Sequence, residues 1–184
     1  MRIFPFAIIL LSAGPAAASD WALADSTSSI SIETTAFGRP LTGVFTEFDA
    51  TIVLDPDNLA EARINGTVSV DSGDTDNPQY NSEMKGRRGL NADTHPMASF
   101  ASTEISPGDA CDDGNGVCLQ AEGRLTLAGN EQPATLNFRL NIDGNRAISD
   151  GTIAIDRHEF GIGGSNWGDA AESVLVHLHI EATR

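Results

Sequence analysis

The residue types able to do chemistry in this chain are scattered. His177 and His179 sit two apart near the C-terminus. On a strand, that spacing puts both imidazoles on one face, where they could chelate a divalent metal. Val176 and Leu178 alternate with them, so if the apolar pair turns inward, both histidines and Glu181 turn to solvent. Surface histidines without function are the favoured reading, and a weak copper or zinc site is the alternative. There is no Gly-x-Ser-x-Gly elbow. His158 and Glu159 would face opposite ways as strand neighbours. The 26 Asp+Glu leave a glycosidase-type pair open, because carboxylate separation is not legible in sequence. Asp71–Asn77 looks like a calcium loop, but the twelfth position from Asp71 or Asp74 is Ser82 or Lys85, not glutamate. No catalytic residue and no metal ligand is assigned.

The first residues read as an export signal. Met1-Arg2 is a short basic start, Ile3 to Leu11 is mostly apolar, and Ala16-Ala17-Ala18 offers small residues at a cleavage point after Ala18. The apolar run is too short to span a bilayer. No cysteine lies near the cut, which argues against a lipoprotein. The expected organisation is a signal peptide at 1–18 and one domain at 19–184, delivered to the periplasm. Export implies an oxidising compartment. Cys111 and Cys118 flank a turn-rich Asp-Asp-Gly-Asn-Gly-Val segment, so a disulfide clipping one hairpin is expected. Asp109, Asp112 and Asp113 are hard ligands poorly matched to thiolates, which disfavours a metal site there.

The formal charge is −15, with Lys85 the sole lysine. Loss of Arg2 with the signal makes it one unit more negative. Such a balance excludes nucleic acid, whose phosphates need clustered Lys and Arg. It also disfavours anionic lipid surfaces. Hydrophobic residues at 40% still allow a core.

The elements that must position any site are strands. Period-two alternation recurs at Ile30/Ile32, Phe48/Ala50/Ile52/Leu54, Ala62 to Val70 and Ala98/Phe100. It continues at Leu119 to Leu127, Leu136 to Ile142, Ala147 to Asp156 and Val174 to Ile180. Asp55-Pro56-Asp57-Asn58 and Asp143-Gly144-Asn145 mark turns. Eight strands, several over ten residues, predict an all-β fold: an extended antiparallel up-and-down barrel, closed so that no edge is exposed. A two-sheet sandwich is the alternative. Asp71 to His95 breaks the rhythm; Asn77 as N-cap and Pro78 as first helical residue predict a short helix from Gln79 to Arg88, ending at Gly89. Eight strands enclose room for side chains or one small ligand. Gly66, Gly123, Ala62, Ala121 and Ala50 at inner positions are expected to leave space for an apolar one.

Several segments then resemble the YceI family of lipocalin-like periplasmic proteins. They are Trp21, the strand around Ile30, Gly43-Val44-Phe45-Thr46-Glu47-Phe48, His95-Pro96-Met97-Ala98-Ser99-Phe100-Ala101-Ser102, Gly123-Arg124-Leu125-Thr126-Leu127-Ala128-Gly129 and Ile155-Asp156-Arg157-His158-Glu159-Phe160-Gly161-Ile162. Their order covers almost the whole mature chain. Gly89-Leu90-Asn91 departs from the family's aromatic pair ahead of the His-Pro region, and the Cys111/Cys118 loop has no counterpart in its pattern. The resemblance implies a lipocalin-like barrel with a helical insertion between strands 3 and 4. It also implies an isoprenoid lipid, a quinone or polyprenyl chain, held inside without a catalytic residue or other cofactor. The expected lining is Phe45, Phe48, Ile52, Val68, Phe100, Leu125, Leu127, Phe138, Leu140, Ile155, Phe160, Val176 and Leu178, each with plain core as its alternative. Trp167 caps a mouth or packs on its rim. Arg157 meets a head-group phosphate or, the favoured reading, forms an ion pair with Glu159 or a nearby aspartate. An enzyme acting on a small amphiphile in the same cavity, or a metal-binding surface at His177/His179, are the competing functions. A membrane redox protein is the candidate protein partner, and monomer and dimer both remain open.

Overall fold

The computed structural model describes residues 20–109 and 116–184, the side chains of 165 and 166 excepted. Eleven strand segments form one antiparallel sheet: β1 (Asp20–Leu23), β2 (Ser29–Ala36), β3 (Arg39–Phe45), β4 (Phe48–Val53), β5 (Arg63–Ser69), β6 (Gly73–Asp74), β7 (Met97–Pro107), β8 (Val117–Leu127), β9 (Asn130–Asp143), β10 (Arg146–Asp156) and β11 (Ser173–Thr183). They make eight staves, because β1/β2, β3/β4 and β5/β6 are each one stave broken once. The last stave closes on the first: Ala22 pairs with Thr183 and Leu23 with Ala182 through β1, while β2 pairs with the same edge of β11 from Ser29–His179 to Glu33–Leu175. The result is a closed eight-stranded barrel, as the alternation predicts.

Hydrogen bonds hold two of the breaks. Between β1 and β2 the chain turns at Ala24–Ser28, where Ser28 Oγ donates to the Ala24 carbonyl at 2.9 Å and accepts from the Glu181 amide at 2.9 Å. Between β5 and β6 a short 3-10 turn at Val70–Ser72 is tied by the Val70 amide to the Pro96 carbonyl at 2.9 Å. The later staves run unbroken except for a bulge between Ser102 and Glu104. Two-residue turns join β8 to β9 and β9 to β10, the first with Ala128 and Gly129 both at positive φ, the mirror-image turn that matches strand twist.

The helix between the third and fourth staves, α1 (Pro78–Lys85), starts where expected: the Asn77 side chain accepts from the amides of Gln79 at 2.9 Å and Tyr80 at 3.3 Å. It ends earlier than the sequence suggests, at Gly86 rather than Gly89. The chain leaves the helix there because the Leu90 amide folds back onto the Met84 carbonyl at 2.7 Å. The signal segment at 1–18 and Cys111 lie outside the described residues.

The core is continuous with the barrel interior. Trp21, Leu54, Phe100, Leu119, Leu136, Phe138, Leu140, Ile153 and Ile155 are all buried in one cluster.

Candidate functional site

Inside the barrel the inward faces of the staves do not meet. They leave an apolar cavity of about 530 Å³, within the 300–1,000 Å³ range of small-molecule sites. Phe45, Phe48, Ile52, Val68, Phe100, Leu125, Leu127, Phe138, Leu140, Ile155, Trp167, Val176 and Leu178 line it. The structure places Phe160 elsewhere: it is 2% exposed, buried in the core at the turn after β10, because the Arg157–Ile162 segment folds back on itself. Ala50 and Gly66 open onto the cavity, but Gly123, Ala62 and Ala121 do not. The Phe100 ring lies over Gly123, and both alanines are fully buried in packed core.

The floor is a residue whose role the sequence left unread. Trp21 is buried, and its indole Nε1 donates to the Leu54 carbonyl at 2.8 Å. The Arg184 guanidinium stacks on its ring at 4.6 Å. The indole lines the cavity and the cation covers its ring, closing the end of the barrel where Trp21 and Arg184 meet.

The mouth lies at the other end, walled by α1, the β2–β3 turn and the 157–172 segment. Tyr80, Glu83 and Met84, spaced i, i+3, i+4, line the cavity from α1; that spacing is the signal by which they could have been found. Gly73 has no side chain because the Met84 methyl and the Phe45 ring occupy the space a Cβ would need. The segment after β10 is hitched to the rest of the mouth. The Gly163 amide donates to the Arg88 carbonyl at 2.6 Å, the Phe37 amide to the Asp169 carbonyl at 2.9 Å, and Trp167 Nε1 to Glu83 Oε2 at 3.4 Å. Trp167 therefore stands at the mouth, bridging this segment to α1.

Arg157 forms no ion pair with Glu159 or an aspartate among the described residues, contrary to the favoured reading. Its guanidinium instead donates to three carbonyls of the segment it precedes: Nε to Ala171 at 2.9 Å, Nη1 to Ile162 at 2.8 Å and Nη2 to Ala170 at 3.1 Å. The return of the chain, not a charge, is its partner.

On the outer face the two histidines have separate partners. His177 Nε2 is 3.4 Å from Glu33 Oε2. His179 Nδ1 is 2.6 Å from Asp150 Oδ1, and Nε2 is 3.6 Å from Glu181 Oε1. The Asp150 hydrogen bond, above all, holds the His179 pKa above the usual histidine value. Among the described residues no group of three or more His, Cys, Asp or Glu converges as a metal site. Cys118 is the second residue of β8.

The family model described as a YceI-like domain matches residues 21–182. UPF0312 proteins of Pseudomonas paraeruginosa and Yersinia pestis are each 29% identical over 150 residues, covering 78% of this chain and 74% of the relative. Among solved structures, Burkholderia cenocepacia BcnA superposes with a TM-score of 0.79 at 27% identity, covering 88% of this chain and 99% of BcnA. A polyisoprenoid binding domain from Saccharophagus degradans superposes at 0.67 and 12% identity, over 89% of this chain and 97% of that domain, a likeness of fold.

Proposed function

The chain belongs to the YceI-like family, and from that premise we propose that it is an exported, periplasmic protein that carries or sequesters an isoprenoid lipid, a quinone or a polyprenyl chain, inside its barrel. Residues 1–18 act as the signal and the remainder as one barrel domain. Cys111 and Cys118 form a disulfide that clips the β7–β8 connection. The mechanism is binding without catalysis: the mouth segments control uptake and release, and no cofactor takes part.

The observation that carries this reading is the cavity itself. At about 24 cal/mol per Å³ of apolar void, a dry and empty space of about 530 Å³ would forfeit on the order of 10 kcal/mol. That is comparable to the whole stability of a domain. Water is a poor filler for walls of Phe, Leu, Ile and Val, since a buried water needs two or more polar partners. An apolar chain is the filler these walls suit, with each five-carbon isoprene unit contributing on the order of 3 kcal/mol before ordering costs. The shared fold of the polyisoprenoid binding domain from Saccharophagus degradans supports the same reading.

Mass spectrometry of solvent extracts from the purified protein tests it. A co-purifying quinone or polyprenol is the expected result. A protein that is reproducibly empty and also fails to take up added quinone or polyprenol would overturn it.

A further inference from the structure

Three aromatic side chains gather at the mouth. Phe37, 67% exposed, is the most exposed large apolar residue among those described. It makes the β2–β3 turn with Gly38, and both sit at positive φ, 53 and 70. Such a mirror-image turn favours Asn-Gly, and a bulky side chain in it is strained. The tip is nonetheless held firmly. The Phe37 amide donates to the Asp169 carbonyl at 2.9 Å, and the Ala171 amide to the Thr35 carbonyl at 2.7 Å. Tyr80, the sole tyrosine, and Trp167 stand half-buried on the same rim. All three rings border the cavity. A phenyl ring that is strained, wetted and fixed at the opening of an apolar space is placed to meet an apolar phase outside it.

The charge of the chain is unevenly placed. Arg39, Arg87 and Arg88 are exposed around the mouth, and Lys85, the sole lysine, ends α1. Histidines aside, the 75–96 connection is neutral, with Lys85, Arg87 and Arg88 matching Asp76, Glu83 and Asp93. The 157–172 segment sets Arg157 against Glu159, Asp169 and Glu172. At the other end of the barrel the 54–62 connection carries Asp55, Asp57 and Glu61 and no cation. A strongly acidic molecule of this kind meets the least repulsion from a negative surface when it arrives mouth first. Aromatic rings interleaved with Lys and Arg are the composition that settles between lipid head groups and acyl chains.

We propose that the mouth rim is a docking surface for a phospholipid bilayer, with Phe37 as the side chain that enters it. Tyr80 and Trp167 then lie at the level of the head groups. A water-insoluble chain passes between bilayer and barrel without crossing solvent. This docking rests on the lipid-binding reading for its purpose, while its contacts are separate from those inside the barrel.

Flotation of the mature protein with two kinds of vesicle tests it, one of phosphatidylethanolamine with phosphatidylglycerol as the minor component and one of phosphatidylcholine alone. Wild type should float with both. Phe37→Asp should lower the partition roughly ten-fold or more, the factor that withdrawing a phenyl side chain from an apolar medium is worth. Val117→Asp places the same charge on a side chain 45% exposed, at the end of β8 away from the mouth, and should partition as wild type does. Arg87→Glu should weaken binding to the phosphatidylglycerol vesicles and leave the phosphatidylcholine partition unchanged. In Phe37→Trp, brominated acyl chains should quench the fluorescence gained over wild type; should Phe37→Asp not fold, that quenching decides. A wild-type protein that floats with neither vesicle, or one equally impaired by Phe37→Asp and Val117→Asp, overturns the docking surface. So does a Phe37→Asp change that breaks up a dimer of this chain without altering flotation. A protein that binds added prenol but does not float loses the docking alone, and one that floats but takes up no prenol loses the lipid reading alone.

Discussion

Gly66 and Gly123 both sit on inward faces, and their different surroundings show which part of the barrel is space and which is core. A Cβ built on Gly66 meets nothing nearer than the Asp49 carbonyl oxygen at 3.9 Å, and the position opens onto the cavity. A Cβ on Gly123 would lie 2.7 Å from the Phe100 ring and collide with the Ala101 carbonyl. Gly66→Ala should therefore be neutral or stabilise by about 0.4–1 kcal/mol, because it only restricts the unfolded chain. Gly66→Leu should fold normally yet lose lipid uptake, since its side chain takes the ligand's volume. Gly123→Ala should destabilise by about 1–3 kcal/mol, the usual cost of overpacking. Thermal melts and lipid binding on the three variants separate these outcomes; a Gly66→Leu protein that binds lipid as well as wild type would show that the cavity is not the site. The sequence placed both glycines inside but not their neighbours, because period two reports the face and not what packs across the barrel. Arg157 was misread for a related reason. Its acceptors are carbonyls of Ile162, Ala170 and Ala171, brought together only by the return of the chain, and side-chain types along the sequence carry no sign of them.

Among the elements, α1 is the one that does not hold itself. Eight residues are too few for an independent helix. Its order comes from the Asn77 cap, from Met84 seated over Gly73, and from Asn81, whose amide donates to Asp74 Oδ1 at 2.7 Å while its carbonyl accepts from the Thr75 amide at 2.8 Å. Asn77→Ala should cost about 1 kcal/mol, felt in the helix. Amide exchange should quicken over Pro78–Lys85 while β8 to β11 keep their protection; uniform loss across the barrel would mean that α1 is part of one cooperative unit. The Asn81 hydrogen bond, followed by the Asp76 amide, holds the Asp74 carboxylate below the usual aspartate value. A depressed folded pKa gives a contribution present above the unfolded value and lost as pH falls through the folded one. Acid should thus loosen the mouth around α1, and Asp74→Asn should remove that pH dependence. The start of α1 was legible because a cap is a local matter of Asn77 and Pro78. The staves were legible because each has one apolar face. The breaks in the first three staves were not, since residues far along the chain hold two of them, Glu181 bonding Ser28 and Pro96 bonding Val70.

On the scale of the whole molecule, two features pull in opposite directions. The chain carries a net charge of −15, and its barrel encloses a mainly apolar space of about 530 Å³. Self-repulsion among the acidic groups weakens the compact state, and the space removes packing that a filled core would supply. The intact ladders compensate, with eleven residue pairs between β10 and β11 and eleven between β8 and β9. The free protein is then expected to be only moderately stable, and occupancy becomes a large part of its stability. A ligand that binds the folded chain alone stabilises it by about 2.7 kcal/mol at a hundred times its Kd. For a chain of this size that corresponds to a rise in Tm of roughly 5–11 °C. Delipidated protein titrated with a C20 prenyl alcohol or acid should show this rise, growing with the logarithm of ligand concentration above Kd. The Gly66→Leu protein, whose space is already taken, should begin at the same or a higher Tm and gain little from ligand. Equal ligand-induced shifts in both proteins would place the stabilising contact outside the barrel and detach the cavity from the binding.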